Sequence, residues 1–572
     1  MDPEKVTYFG ETDSRSKRLK FGIKAKDRAR HIYVIGKTGM GKSTLLENMA
    51  IQDLQNGEGM AFLDPHGKTA ELLLDYIPRE RLNDVVYFAP FDTEYPISFN
   101  VLEDVGFDKR HLVVSGLMST FKKIWVDAWS ARMEYILTNT LLALIEYPGS
   151  TLLGVNRMLS DKEFRKKVVD NVKDPSVKAF WTEEFAKYTE RMAAEAVPAI
   201  QNKIGQFTAN PIIRNIVGQP KSSFDIRKLM DDRKILIINL SKGKVGEANA
   251  NLLGSMLITK VYIAAMSRAD VSHRELDKLP NFYLYVDEFQ SFANESFADI
   301  LSEARKYKLN LTIAHQYIEQ MSEEVRAAVF GNVGTMIAFR VGAYDAEVLE
   351  KEFAPQFTAE DLVNLGMFQM YLKLMINGVS STPFSASSLP PFPVPVISYD
   401  KEIVINSRKN FAEVRATVEE NIKKWHEEGK FAPKPAEVKP KMALPMEHKK
   451  PEIKPAPKPY IPEKPVVREQ VKRQQIPLPP IETEVGDDFL PLKEFAKKVV
   501  VEPKKPDIRP DSKVMGEKNL ADLKSALQAA MKGSSSEIKE APKVEHKKEE
   551  PKHSPDTKEI SERELKQALG LE

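Results

Sequence analysis

Short, continuous apolar runs alternate with helically spaced segments along the first hundred residues. The runs are His31-Ile32-Tyr33-Val34-Ile35, Gly59-Met60-Ala61-Phe62-Leu63-Asp64 and Asp84-Val85-Val86-Tyr87-Phe88. Their length and their β-branched and aromatic content predict buried strands. Two strand-like pieces, around 6–9 and 19–23, precede them. Between the runs, apolar residues recur at three and four, beginning with Thr44-Leu45-Leu46-Glu47-Asn48-Met49-Ala50. Strands alternating with helices predict a parallel α/β sheet with crossovers. From about 107 to 220 the strand signals vanish and long amphipathic helices replace them, for example over 132–145. Strands resume at 234–240, 282–286, 309–314 and 335–339. One α/β core interrupted by an all-α insertion is the simplest account. The insertion spans 107–220, the core halves span 31–106 and 221–390, and residues 1–30 add an N-terminal β segment.

Past residue 390 the pattern changes in kind. A charged helix is expected at 407–427, closing a segment over 391–430. Residues 431–572 hold 20 of the chain's 37 prolines, mixed with Lys and Glu. Such a segment buries too little apolar surface to offset its chain entropy, so a disordered tail is expected. Two short helices are predicted within it. One carries the stripe Leu520, Leu523, Leu527 and Met531; the other opens on Ser561 with Glu564, the pattern of a capping box, and carries Leu565. They either dock a protein partner or stay solvated.

Composition narrows the class. With no cysteine among 572 residues, disulfides and cysteine-ligated zinc are excluded. Lys and Arg number 84 against 82 Asp and Glu, so any nucleic-acid surface must be local. No uninterrupted apolar stretch approaches 18 residues, and Met1-Asp2-Pro3-Glu4-Lys5 has no signal-peptide core, which together predict a cytoplasmic location.

The candidate chemistry centres on Gly36-Lys37-Thr38-Gly39-Met40-Gly41-Lys42-Ser43, a complete G-x-x-x-x-G-K-[ST] loop between a predicted strand and a predicted helix. Glycines let backbone N–H groups curl around phosphate, and the helix start adds partial positive charge. Residues Gly36 to Thr44 are therefore expected to hold ATP, with Lys42 on the β- and γ-phosphates and Ser43 on Mg²⁺. A second acid is needed at a neighbouring strand end. Tyr283-Leu284-Tyr285-Val286-Asp287-Glu288 offers Asp287 for the metal and Glu288 as general base for the attacking water. Twenty-eight residues on, Gln316 ends the next strand, where a polar side chain can sense the γ-phosphate; His315 reads as structural. Arg305 and Arg340 are candidates for the finger that neutralises transition-state charge, with Arg305 preferred. Asp64-Pro65-His66-Gly67 reads as a tight turn opening a helix over 69–77, with Asp64 near the phosphate site as the competing reading.

Together these motifs resemble the FtsK/HerA superfamily of DNA-pumping ATPases, most closely the type IV secretion (conjugative) coupling-protein branch. The resemblance rests on residues 33–44, Leu63-Asp64-Pro65-His66-Gly67, Val286-Asp287-Glu288-Phe289-Gln290 and Glu303-Ala304-Arg305-Lys306-Tyr307 leading to His315-Gln316. It covers roughly 5–390 and includes the placement of the helical insertion. It implies a RecA-like core, a homo-oligomeric ring (a hexamer), ATP at subunit interfaces and DNA in a central channel. That branch usually carries N-terminal transmembrane helices, whereas this sequence opens almost directly on the core. A soluble form, with peripheral contact to a membrane secretion complex, is expected. Lys122, Lys123, Trp125, Trp129 and Arg132 in the insertion, and Ser241-Lys242-Gly243-Lys244, are candidate DNA contacts; for each tryptophan taken singly, packing the helical core is the favoured reading. The competing functions are a HerA-like translocase in DNA repair and a nucleotide-dependent adaptor without motor activity.

Overall fold

Strands that are apolar throughout can be buried on both faces, and such strands make the centre of the sheet. A computed structural model describes residues 2–13 and 17–428, without the side chains of 190–195. The expected tail and its two helices lie outside the described residues. The strands are β1 (Val6–Thr12), β2 (Lys20–Lys24), β3 (Ile32–Ile35), β4 (Gly59–Asp64), β5 (Val85–Phe88), β6 (Ile235–Asn239), β7 (Phe282–Val286), β8 (Leu309–His315), β9 (Thr335–Ala338), β10 (Gln369–Lys373), β11 (Met375–Ile376), β12 (Val379–Ser380) and β13 (Phe384–Ser388). Eleven form one sheet in the order β2-β1-β13-β10-β9-β3-β8-β7-β4-β6-β5, and β11 pairs only with β12. From β9 to β5 every pairing is parallel. The remaining four strands join antiparallel at the β9 edge.

Alternation along each strand divides the core into two layers. In β7, Phe282, Leu284 and Val286 pack with the helices of the 110–231 region. Tyr283 and Tyr285 face the other way, toward the helix Lys42–Gln55 and the helix Lys68–Asp75. Between β5 and β6 the described chain is helical, including Arg110–Ile124, Ala131–Glu146 and Pro211–Val217. This is the expected α/β fold of a P-loop NTPase.

Three features differ from the sequence reading. β10 and β13 were not predicted, because each half-polar strand finds its partners only in the assembled sheet. The segment expected to be one helix at 407–427 is two, Asp400–Phe411 and Arg415–Glu427. Between them the Glu413 amide donates to the Pro96 carbonyl and Ala412 bridges Ile97, which takes this backbone out of helical pairing. Finally, the segment Glu247–Asp270 reaches the length and mean hydropathy (1.2) of a membrane span, although 72% of that window is buried within the fold. An all-round apolar helix of this kind is the expected signature of a buried core helix.

Candidate active site

In a parallel sheet, the loops leaving the carboxyl ends of the strands share one edge. The phosphate loop leaves β3, the acid pair leaves β7, and Gln316 leaves β8, which lies between the other two. The 28 residues separating Glu288 from Gln316 are thereby reduced to a hydrogen bond.

The loop has the backbone its glycines permit. Gly41 sits at φ +119°, in the region that favours glycine, and a Cβ there would stand 3.0 Å from the Phe368 ring. At Gly36 a Cβ would meet the Phe339 Cβ at 2.6 Å. Glycine at both positions lets the loop lie close against the strand ends. The Lys37 amide donates to the Arg340 carbonyl (2.8 Å) and the Gly36 amide to that of His315 (3.3 Å). Lys42 turns back into the loop, its Nζ donating to the Gly36 carbonyl at 2.7 Å and to that of Lys37 at 3.3 Å. Burial lowers its pKa, while Glu288 and Asp287 act in the opposite direction.

The Ser43 hydroxyl donates to Asp287 Oδ2 at 3.0 Å, so hydroxyl and carboxylate already adjoin. Asp287 is 3% exposed, and its carboxyl is pushed up to about 6 by burial and then by the Glu288 charge. This pair suits a hard cation such as Mg²⁺, whose remaining positions take water and phosphate oxygens. Among the described residues no cluster of three His, Asp or Glu forms a self-sufficient metal site.

Glu288 has a left-handed backbone (φ +49°) and is 8% exposed. One carboxylate oxygen accepts from Gln290 Nε2 and the other from Gln316 Nε2. Gln316 also accepts from the Thr38 hydroxyl at 3.2 Å, connecting phosphate loop to acid. His66 Nε2 lies 4.0 Å from the same acid. Asp64 shapes its own turn, its oxygens accepting from the His66 amide (2.7 Å) and the Ala70 amide (2.9 Å), and its charge adds to burial and the Glu288 charge in raising the Asp287 pKa. The turn-forming role of Asp64 is present, and so is its proximity to the acid of the phosphate edge. His315 is buried and held to about 3 by burial, Lys42 and Lys123, so it stays neutral; its Nδ1 faces the Tyr33 hydroxyl at 3.2 Å.

Arg305 stands apart from this edge. It lies in the turn Ala304–Tyr307 that precedes β8, at the opposite end of the sheet. Seven strand residues at about 3.3 Å each separate it from its own phosphate loop. Arg305 shares a 320 Å³ concavity with Arg30, Glu352 and Lys373. Arg340 is beside the loop in the same chain.

Several expected DNA contacts are committed to other partners. Lys123, on helix Arg110–Ile124, donates to the carbonyls of Gln290 (2.7 Å) and Ala293 (2.5 Å), and burial with nearby Lys242 brings it down to about 8. It supports the turn after the acid pair instead of facing nucleic acid. Trp125 packs against Phe121 and Phe207, with ring centroids 5.7 and 5.2 Å away. The Trp129 indole donates to Glu134, and Lys122 pairs with Glu295. Lys242 reaches Glu247 and Ser291, and Lys244 reaches Glu71. Sequence reasoning missed Gln290 and Lys123 as neighbours of the acid pair. Gln290 had a local signal, standing two residues past Glu288; Lys123 had none.

Fold and site define a P-loop NTPase with paired acids and a polar residue on the intervening strand. The chain belongs to the type IV secretory system conjugative DNA transfer family, whose model matches residues 4–335. No curated protein matches the chain in sequence. Among solved structures it is similar to the unbound bacterial conjugative coupling protein TrwBΔN70, with 14% identity over 68% of this chain and 94% of that one, TM-score 0.47. It is also similar to the plasmid coupling protein TrwB in complex with ADP and Mg²⁺, with 14% identity over 68% and 96%, TM-score 0.47. VirB4 of Thermoanaerobacter pseudethanolicus is a further match, with 14% identity over 70% and 99%, TM-score 0.45.

Proposed function

We propose that this protein is a Mg²⁺-dependent ATP hydrolase that moves DNA as a homo-oligomeric ring, a hexamer, during type IV secretion-linked transfer. The observation that carries the reading is the joining of phosphate loop, acid pair and Gln316 by direct hydrogen bonds at one sheet edge. The backbone of Gly36–Thr44 would cradle the phosphates, and Lys42 would leave its carbonyl partners for the β- and γ-phosphates. Ser43 and Asp287 would hold Mg²⁺, which neutralises phosphate charge when bound. Glu288 would accept the proton of the attacking water. Because Gln316 connects Thr38 to Glu288, a γ-phosphate recognised by Gln316 competes for the amide that holds the acid. Arg305, too far from its own loop, would act as the finger for a neighbour's nucleotide. The family match supports conjugative transfer over a HerA-like repair role.

The test is the rate of ATP turnover without DNA, with single-stranded DNA and with double-stranded DNA. A motor is expected to show Mg²⁺-dependent turnover that rises with at least one form of DNA. An adaptor that moves nothing would show nucleotide binding with no DNA response.

A further inference from the structure

The turn entering β10 carries two exposed apolar side chains and brings one of them, Phe368, to the phosphate loop. Met367 is 60% exposed and Phe368 is 44% exposed. Phe368 is held at φ +66°, a backbone conformation that is an outlier for a bulky residue and that clusters at ligand clamps. It is fixed there from both sides: its amide donates to the Met40 carbonyl (3.2 Å), and its carbonyl accepts from the Ser388 amide (2.9 Å). One ring edge reaches within 3.0 Å of the position a Cβ would take on Gly41. Water-facing aromatic surface is thus clamped onto the loop itself.

A second observation comes from Ser388, at the end of β13. Its hydroxyl is buried (7% exposed), has no hydrogen-bond partner, and lies 3.4 Å from the same Gly41 Cβ position. Buried hydroxyls are nearly always paired, so an orphan beside a phosphate loop points to a polar group that completes it. The wall is firm. Asn48, on the helix that starts at the loop, donates to the Leu389 and Pro390 carbonyls at 3.2 and 3.0 Å and anchors the strand's exit.

We propose that Phe368 and Ser388 form the base-and-ribose subsite for the nucleoside triphosphate whose phosphates the loop holds. The Phe368 ring stacks on the base, and the Ser388 hydroxyl hydrogen-bonds the ribose. The subsite rests on the nucleotide reading above and adds the element that separates a nucleotide from bare polyphosphate. The antiparallel strands β10 and β13 then have a ligand role: one opens and the other ends at the nucleotide edge.

Calorimetry on the full chain in Mg²⁺ tests this with two ligands, the imido β–γ analogue of ATP and inorganic tripolyphosphate. Wild type should bind the analogue at least tenfold more tightly. Phe368→Ala should lose about tenfold for the analogue, or about 1.4 kcal/mol, with tripolyphosphate unchanged. Phe368→Trp should restore the analogue, and Ser388→Ala should lose about threefold for the analogue alone. Unchanged analogue affinity in Phe368→Ala overturns the subsite. So does equal loss for both ligands, which would make Phe368 a support of the loop. Wild type binding both ligands equally overturns the subsite and leaves the phosphate loop standing. Wild type binding neither overturns the nucleotide site and the subsite with it.

Discussion

Glu288 accepts one glutamine amide on each of its oxygens, which orients the carboxylate and leaves a lone pair on each for the attacking water. A Glu288→Gln variant keeps Lys42 and the loop, so it should bind ATP like wild type and lose turnover by about 10²- to 10⁴-fold. Single-turnover phosphate release checks this, and near wild-type release would remove Glu288 as the base. Lys42→Ala should instead fail at binding, measured by equilibrium titration. Another buried residue sets a pH limit on the fold. His31 is 1% exposed, its Nδ1 accepts the Leu311 amide at 3.1 Å, and burial lowers it to about 4. Between the unfolded value near 6.5 and the folded value near 4, the unfolded chain binds more protons. Stability from this residue is therefore complete above pH 6.5 and falls on acidification, by roughly 3 kcal/mol at pH 4. His31→Gln should flatten the dependence of Tm on pH over that window; an unchanged slope would reassign the acid sensitivity. Most of the site's residues were legible in sequence, because phosphate loop and acid pair each keep their chemistry within a few consecutive positions. Lys123 was not, since its partners are backbone carbonyls about 170 residues away.

At the scale of elements, that lysine joins the helical region to the acid turn. Helix Arg110–Ile124 packs against the core helix Glu247–Met266, and a Cβ at Gly116 would clash with Thr259 at 2.3 Å, so the two approach closely. Displacement of this helix would be transmitted through Lys123 to Gln290, and from there to Glu288. Lys123→Met removes the link without adding bulk. It should lower kcat at least roughly tenfold with KM for ATP nearly unchanged, because a misplaced base costs rate before it costs binding. A rise in KM with kcat preserved would contradict a positioning role. The central strands were legible because burial on both faces leaves a continuous apolar run, as in β7. The edge strands were not: in β13, Phe384–Ser388, the sequence Phe-Ser-Ala-Ser-Ser carries a weak strand signal and takes its place from β10 and β1.

For the whole molecule, the proposed role of Arg305 as a neighbour's finger would make assembly part of the chemistry. Arg305→Ala should lose about 10³-fold or more in turnover. Mixed with Lys42→Ala, which keeps its arginine but not its nucleotide, it should regain measurable activity. No recovery from two folded, co-assembling variants would exclude a finger supplied by the neighbour. Mass measurement with ATP and DNA should find six subunits. Removing residues 431–572 should leave basal ATPase within about twofold, since the composition of that segment offers little to the core. The central claim is that ATP hydrolysis at this site moves DNA, and displacement of a third strand from a DNA triplex measures it most directly. The account predicts displacement that requires ATP and Mg²⁺ and disappears in Glu288→Gln. DNA-stimulated ATP turnover with no displacement, on single- or double-stranded tracks of either polarity, would contradict it.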